Sequence, residues 1–177
     1  MTRHWLMKTE PEELSIDELA RRVREPWTGV RSVFARFYMR QMQLGDDVLV
    51  YHSSVDPPGV AGLARVSKVG IVDDTQFDET SKYFDAKATR ERPIWDCVEV
   101  EYVATLPNFV PLPRIRAERA LRSMVLLRIG RLSVQPVTPA QFAKIVELAQ
   151  TAWQAPPKKP AKKKSARAPK KPLRRRR

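Results

Sequence analysis

At 177 residues and 42% hydrophobic content the chain is long enough for one buried core, and no apolar run approaches the eighteen or so residues of a membrane span. A single soluble domain is therefore expected, with no membrane partner. The net charge of +13 is unevenly placed: of 33 basic residues 12 lie in residues 155–177, which hold no acid, leaving 21 against all 20 acidic residues in 1–154.

The first twenty residues carry Glu10, Glu12, Glu13, Asp17 and Glu18 and lack an apolar signal core, so export is not expected. A cytoplasmic protein is expected, at the nucleoid in a bacterium or in the nucleus of a eukaryote. Residues 3–8 read as a first strand, stopped by Thr9, Glu10 and Pro11. Ser15-Ile16-Asp17-Glu18 has the capping-box pattern, predicting a helix to about Arg24 that Pro26 cannot continue. Trp27-Thr28-Gly29 reads as a turn. Val30, Val33, Phe34, Phe37 and Tyr38 then recur at helical spacing, with Arg31, Arg36 and Arg40 interleaved, and predict a second helix over residues 30–42.

Residues 44–54 organise the rest. A polar turn (Gly45, Asp46, Asp47) precedes an apolar run (Val48, Leu49, Val50), the signature of a buried strand. Its C-terminal end presents Tyr51, His52, Ser53 and Ser54, groups able to fix a planar polar ligand by hydrogen bonds. Residues 59–69 read as a strand in which Gly62 marks a bulge or a close approach. Residues 71–92 are polar and irregular and read as a solvated loop. Their carboxylates lack the spacing of a calcium site.

Residues 95–104 alternate cleanly and predict a strand. Pro107, Pro111 and Pro113 are expected to forbid regular structure until a helix over residues 115–124. Short strands are predicted at residues 126–128 and 132–135. Thr138, Pro139 and Gln141 then cap a last helix whose Phe142, Ile145, Val146 and Ala149 share one face, closing the domain near Trp153. Several strands, intervening helices and no βαβ repeat indicate an α+β fold around a small, strongly curved sheet or barrel. The domain is drawn at 1–154. The Lys/Arg/Pro/Ala tail at 155–177 cannot bury a core and is expected to be disordered when free.

No enzymatic signature is present. Six glycines are spread singly, so no phosphate loop forms, and no nucleophile elbow exists. A Ser53 or Ser133 nucleophile with His52 as base is opposed by strand geometry, since His52 and Ser53 point to opposite faces. Cys97 is the lone thiol, sits within a strand, and reads as inert. It permits no internal disulfide, and with two scattered histidines it matches no zinc spacing. No catalytic residue, metal or cofactor is expected. Trp27 and Trp95, at element junctions, are able either to pack in the core or to sandwich a planar base, a stacking worth roughly 1–3 kcal/mol per base.

Six separated motifs occur in order: His4-Trp5-Leu6-Met7-Lys8-Thr9-Glu10-Pro11, Trp27-Thr28-Gly29-Val30-Arg31, Tyr51-His52-Ser53, Pro58-Gly59-Val60-Ala61-Gly62, Trp95 before Val98-Glu99-Val100, and Arg131-Leu132-Ser133-Val134-Gln135-Pro136. Together, over residues 3–150, they resemble the EVE domain family of the PUA-like superfamily. The resemblance implies a PUA-like pseudo-barrel that reads a modified base in an aromatic-lined pocket. By a more distant similarity to YTH readers of methylated adenine, Lys8, Thr9, Trp27 and Trp95 fall on pocket positions. The chain departs from the family pattern Gly-Val-Arg-Asn-Tyr-Gln-Ala-Arg-Asn at Ser32, Val33, Phe34 and Phe37. At Ser32 the change removes an amide able to read a base edge.

The sequence thus predicts a non-enzymatic nucleic-acid-binding protein, DNA and RNA being left open. The base would flip between Trp27 and Trp95 and meet Lys8, Thr9, Ser32, Tyr51, His52 and Ser53. Phosphates would meet Arg31, Arg36 and Arg40 and, in the tail, Lys158, Lys159, Lys162, Lys163, Lys164, Arg174, Arg175, Arg176 and Arg177. The rival readings are an enzyme or small-ligand binder using the same pocket, and an interaction scaffold with a degenerate one.

Overall fold

The computed structural model describes residues 2–154. The basic run at 155–177, the tail residues named above and the 154/155 boundary lie outside or at the limit of the described residues. Six strands form one sheet: β1 (His4–Thr9), β2 (Arg24–Pro26), β3 (Asp47–His52), β4 (Gly59–Val72), β5 (Asp96–Pro111) and β6 (Val134–Val137), in the order β2-β5-β4-β3-β1-β6. β1 and β3 run parallel, and every other pairing is antiparallel. This is the expected curved sheet with flanking helices, in an α+β fold.

Successive side chains of a strand point to opposite faces, and here both faces are covered. Trp5, Met7, Val48 and Val50 enter a first core cluster, while Leu6, Leu49 and Tyr51 enter a second. That is why β1 and β3 read as continuous apolar runs rather than as alternating ones. Helices α2 (Ile16–Arg22) and α3 (Val33–Met39) lie on the first face, and α4 (Leu112–Ala117), α5 (Val125–Arg128) and α6 (Pro139–Leu148) on the second. A one-turn helix, α1 (Pro11–Leu14), precedes α2.

Gly62 carries both roles its position suggested. Ala61 is the extra residue where Val50 pairs Gly62 and Tyr51 pairs Val60, a β-bulge. A Cβ on Gly62 would also collide with the Ile16 side chain, so the bare backbone seats α2 on the sheet.

Several expectations need correction. The Ser15 hydroxyl caps α2 by accepting the Glu18 N–H, but the Glu18 carboxylate pairs with Arg21 and Arg22; the helix ends at Arg22, and Arg24, its expected last residue, opens strand β2, which was not expected. The prolines at 107 and 111 do not end β5. The strand continues to Pro111 because residues 106–109 bulge between the Thr105–Gly62 and Val110–Val60 pairs, where no ladder N–H is required of Pro107. Residues 115–124 divide into the end of α4 and a 3₁₀ turn, and residues 126–128 are helical, not a strand. The apolar stripe of α3 is turned outward: Val33, Phe34 and Phe37 are 63%, 74% and 60% exposed, while Ala35 and Met39 face the core.

The loop between β4 and β5 is not simply solvated. Gln76 is fully buried, its amide nitrogen donating to the carbonyls of Asp73 and Trp95 and its oxygen accepting from Ile94 and Trp95. A fully satisfied buried amide of this kind pins the loop to the sheet.

Candidate functional site

The main cleft, of about 900 Å³, opens at the C-terminal ends of the parallel pair β1–β3. It straddles the sheet. Trp27, Val30 and Leu14, which pack on the first face, form one wall, and Leu112 and Leu126, which pack on the second, form the other. Between them stand Thr9 and Ser53, joined where the Ser53 backbone N–H and hydroxyl both donate to the Thr9 carbonyl, at 2.9 and 3.1 Å.

Of the residues expected around a base, Lys8, Thr9, Trp27, Ser32, Tyr51 and Ser53 line this one cleft. Trp27 is almost wholly buried and belongs to the first core cluster, so only part of its ring is offered to the cleft. Its indole N–H hydrogen-bonds to no described residue. Ser32 is committed locally, its hydroxyl capping α3 by accepting from the Ala35 N–H at 3.4 Å. Lys8 lies with its ammonium 5.4 Å from the Tyr51 ring centre and donates to the Gly130 carbonyl. Partial burial pushes its pKa down, and burial pushes the Tyr51 phenol up against the opposing field of Arg116.

Two expected residues are not on the cleft wall. His52 points away from Tyr51 and Ser53 by strand alternation, and its Nε2 accepts the Ile16 backbone N–H at 3.1 Å, holding the start of α2. Burial lowers its pKa against the carboxylates of Asp17 and Glu12. Trp95 is buried beneath the loop, its indole N–H donating to Asp85 at 2.8 Å and its ring covered by the guanidinium groups of Arg36 and Arg31. It is not available to stack against Trp27.

The three arginines expected at phosphates are tied within the fold. Arg31 donates to Asp73, Thr75 and the Tyr83 carbonyl at 2.8, 2.9 and 2.7 Å, so it lines the cleft with its charge already matched. Burial alone would raise the Asp73 pKa, but donors from Arg31, Thr75 and the Gly29 N–H hold it below the usual carboxylate range. Arg36 donates to the Ile94 carbonyl, and Arg40 grips Asp96 through two nitrogens.

Residue patterns alone did not reveal Tyr83, Arg116 or Arg131, which also line the cleft. Tyr83 stands over Gly29 so closely that a Cβ there would enter its ring, and Gly29 holds φ +81°, a conformation favoured by glycine. The Tyr83 hydroxyl donates to the Glu13 carboxylate at 2.7 Å, and Lys82 pairs with the same group, closing the loop over the first wall. No spacing signal marks Tyr83, because the contact joins residues 70 apart in sequence.

The Cys97 thiol is buried in β5, where burial and nearby carboxylates push its pKa up to about 12. Among the described residues no group of three or more His, Cys, Asp or Glu is placed to hold a metal ion, and no helix is long and apolar enough to cross a membrane.

The profile of the EVE domain family matches residues 3–148. Thymocyte nuclear protein 1 of Homo sapiens is 34% identical over 167 residues, which cover 84% of this chain and 74% of that protein. An uncharacterized protein of Schizosaccharomyces pombe is 30% identical over 164 residues, 84% of this chain and 69% of its own. Among solved structures, a hypothetical protein from Leishmania major matches at TM-score 0.83 and 44% identity, over 85% of this chain and 96% of that one. The human THYN1 protein in complex with DNA containing 5-methylcytosine matches at TM-score 0.81 and 32% identity, over 85% of this chain and 99% of that one.

Proposed function

We propose that this chain, which belongs to the EVE domain family, is a non-enzymatic nucleic-acid-binding protein that holds one modified base, flipped from its stack, in the cleft at the ends of β1 and β3. The observation that carries the reading is the cleft itself: an open space of about 900 Å³ bringing Trp27 and Tyr51 together with Thr9 and Ser53. An aromatic surface beside a few fixed polar groups suits a planar base with hydrogen-bonding edges. The complex of a relative, human THYN1, with DNA containing 5-methylcytosine supports DNA as the partner and a methylated cytosine as the first base to test. Trp27 supplies the stacking surface, Tyr83 replaces the sequestered Trp95 as the second aromatic group, and Thr9 and Ser53 present polar groups to the base edge. The tail adds affinity for phosphates that is independent of the base.

The test is a pair of duplexes identical except for one 5-methyl group on cytosine, titrated with the full chain. The methylated duplex is expected to bind more tightly. Trp27→Ala should move the ratio of the two affinities toward one, a loss on the order of 1–3 kcal/mol of selective binding. Because Trp27 is also a core residue, the variant's unfolding is followed alongside; truncation of a buried tryptophan costs about 3–5 kcal/mol of stability. Tyr83→Leu, which keeps apolar volume at a half-buried position, gives a second readout of the same ratio. A wild-type ratio of one across a broad set of modified bases would overturn the reading.

A further inference from the structure

Residues 112–131 contain Arg114, Arg116, Arg119, Arg122, Arg128 and Arg131 against one acid, Glu118. This concentration is hidden in the balance of 21 basic and 20 acidic residues over 1–154. Arg114 is tied to Thr151. The other five are exposed, and none of their guanidinium groups meets a hydrogen-bond or ion-pair partner among the described residues. Elsewhere, Arg22, Arg24, Arg40, Arg65 and Arg90 each pair with a carboxylate. Uncompensated like charges opposed to one another weaken a compact state, so the fold gains nothing from leaving these five unpaired.

Their position relative to the cleft supplies the reason. Arg116, at the end of α4, and Arg131, just before β6, both line the cleft with Lys8. The charge of Arg116 is felt at the Tyr51 phenol on the cleft floor. The wall built on the second face of the sheet therefore carries cations alone. The wall on the first face carries Glu13 and Glu25, the charge of Glu10 at the end of β1 is felt at its Tyr83, and its Arg31 is matched by Asp73. The cleft is electrically polarised across the sheet. A nucleotide is polarised in the same way, with an anionic phosphate at one end and, at the other, a neutral base whose exocyclic and ring N–H groups are able to donate to carboxylates.

We propose that Lys8, Arg116 and Arg131, continued outward by Arg119, Arg122 and Arg128, form the phosphate-holding surface of the folded domain. It receives the nucleic-acid backbone beside the cleft and directs the base toward the Trp27 wall. The inference rests on the reading of the cleft as a base-binding site, and it moves the domain's phosphate contacts from Arg31, Arg36 and Arg40 to the opposite face of the sheet. Arginine suits the task, because its planar fork matches two phosphate oxygens.

The experiment compares the full chain with R116Q/R131Q and with R24Q/R65Q, which removes the same number of positive charges from exposed residues that do not line the cleft. Affinity for one duplex is measured at several salt concentrations. Each lost phosphate contact lowers the slope of log K against log salt by about 0.9 on duplex DNA, so R116Q/R131Q should lose about 1.8 and the control nothing comparable. The tail is present throughout and cancels in the comparison. An unchanged slope in R116Q/R131Q, or an equal fall in R24Q/R65Q, would overturn the proposal. The methylated-to-unmethylated ratio, measured on the same proteins, separates the two readings. A slope that falls in a protein with no methyl preference keeps the phosphate surface and removes the base reader; a preference with an unchanged slope does the reverse.

Discussion

His52 shows how a residue able to serve chemistry is committed to the fold instead. Its Nε2 accepts the Ile16 N–H, so the neutral imidazole is the form the structure needs, and burial keeps its pKa below the unfolded value. A base whose pKa is depressed on folding contributes stability that is fully present above its unfolded pKa, about 6.5, and is lost as pH falls through the folded value. Stability of the wild-type chain should therefore fall as pH drops below about 6.5. His52→Gln, which keeps an acceptor for the Ile16 N–H, should lack that part of the fall. Denaturant midpoints of both proteins at a series of pH values check this, and parallel curves would remove the assigned role. Cys97 is committed in the same sense, its thiol held protonated by burial.

Among the elements, α3 is where the pattern and the packing disagree. Its helical periodicity is real, and the helix forms over Val33–Met39, but the stripe that looked like a core face points to water. Periodicity reports that a helix has an apolar side, not which side meets the sheet. Here Arg36 and Arg40 decide the orientation, since the Ile94 carbonyl and Asp96 fix that edge of the helix against β5. Phe34→Gln with Phe37→Asn, which restores the family residues at two departures, should change stability by no more than about 0.5 kcal/mol for each exposed site. Thermal unfolding of the double variant checks this, and a loss of several kcal/mol would mean that the stripe is covered in the native protein. Gly29 shows the opposite dependence on one small residue: its positive φ and the Tyr83 ring above it leave no room for a side chain.

At the scale of the whole molecule, charge divides between the polarised cleft and the residues beyond 154. Those last 23 residues carry 12 cations and no acid. Deleting 155–177 should weaken binding to methylated and unmethylated duplex alike and reduce the salt slope, since fewer counterions are released. The ratio of the two affinities should survive the deletion, because an electrostatic contribution that does not sense the base cancels from it. Titrations of both proteins at several salt concentrations check the slope and the ratio together.

The chain alone determined what depends on neighbours in sequence. The apolar runs of β1 and β3, the capping box at Thr138 and Gln141 and the Ser15 cap all arise from short-range sterics and hydrogen bonding, and each stands where its pattern predicted it. Six of the eight residues expected around a base line the cleft, and they were legible because they sit at or next to the ends of such elements. What only the tertiary structure decided were the choices between equivalent local outcomes. These include which face of α3 is buried, whether Trp95 stacks or is sealed by Arg31, Arg36 and Asp85, and whether an arginine is spent on a carboxylate or left free. The Gln76 clamp and the Tyr83–Glu13 contact belong to the same class. Each joins groups far apart in sequence, and their energies depend on burial and on partners that exist only once the sheet has brought them together.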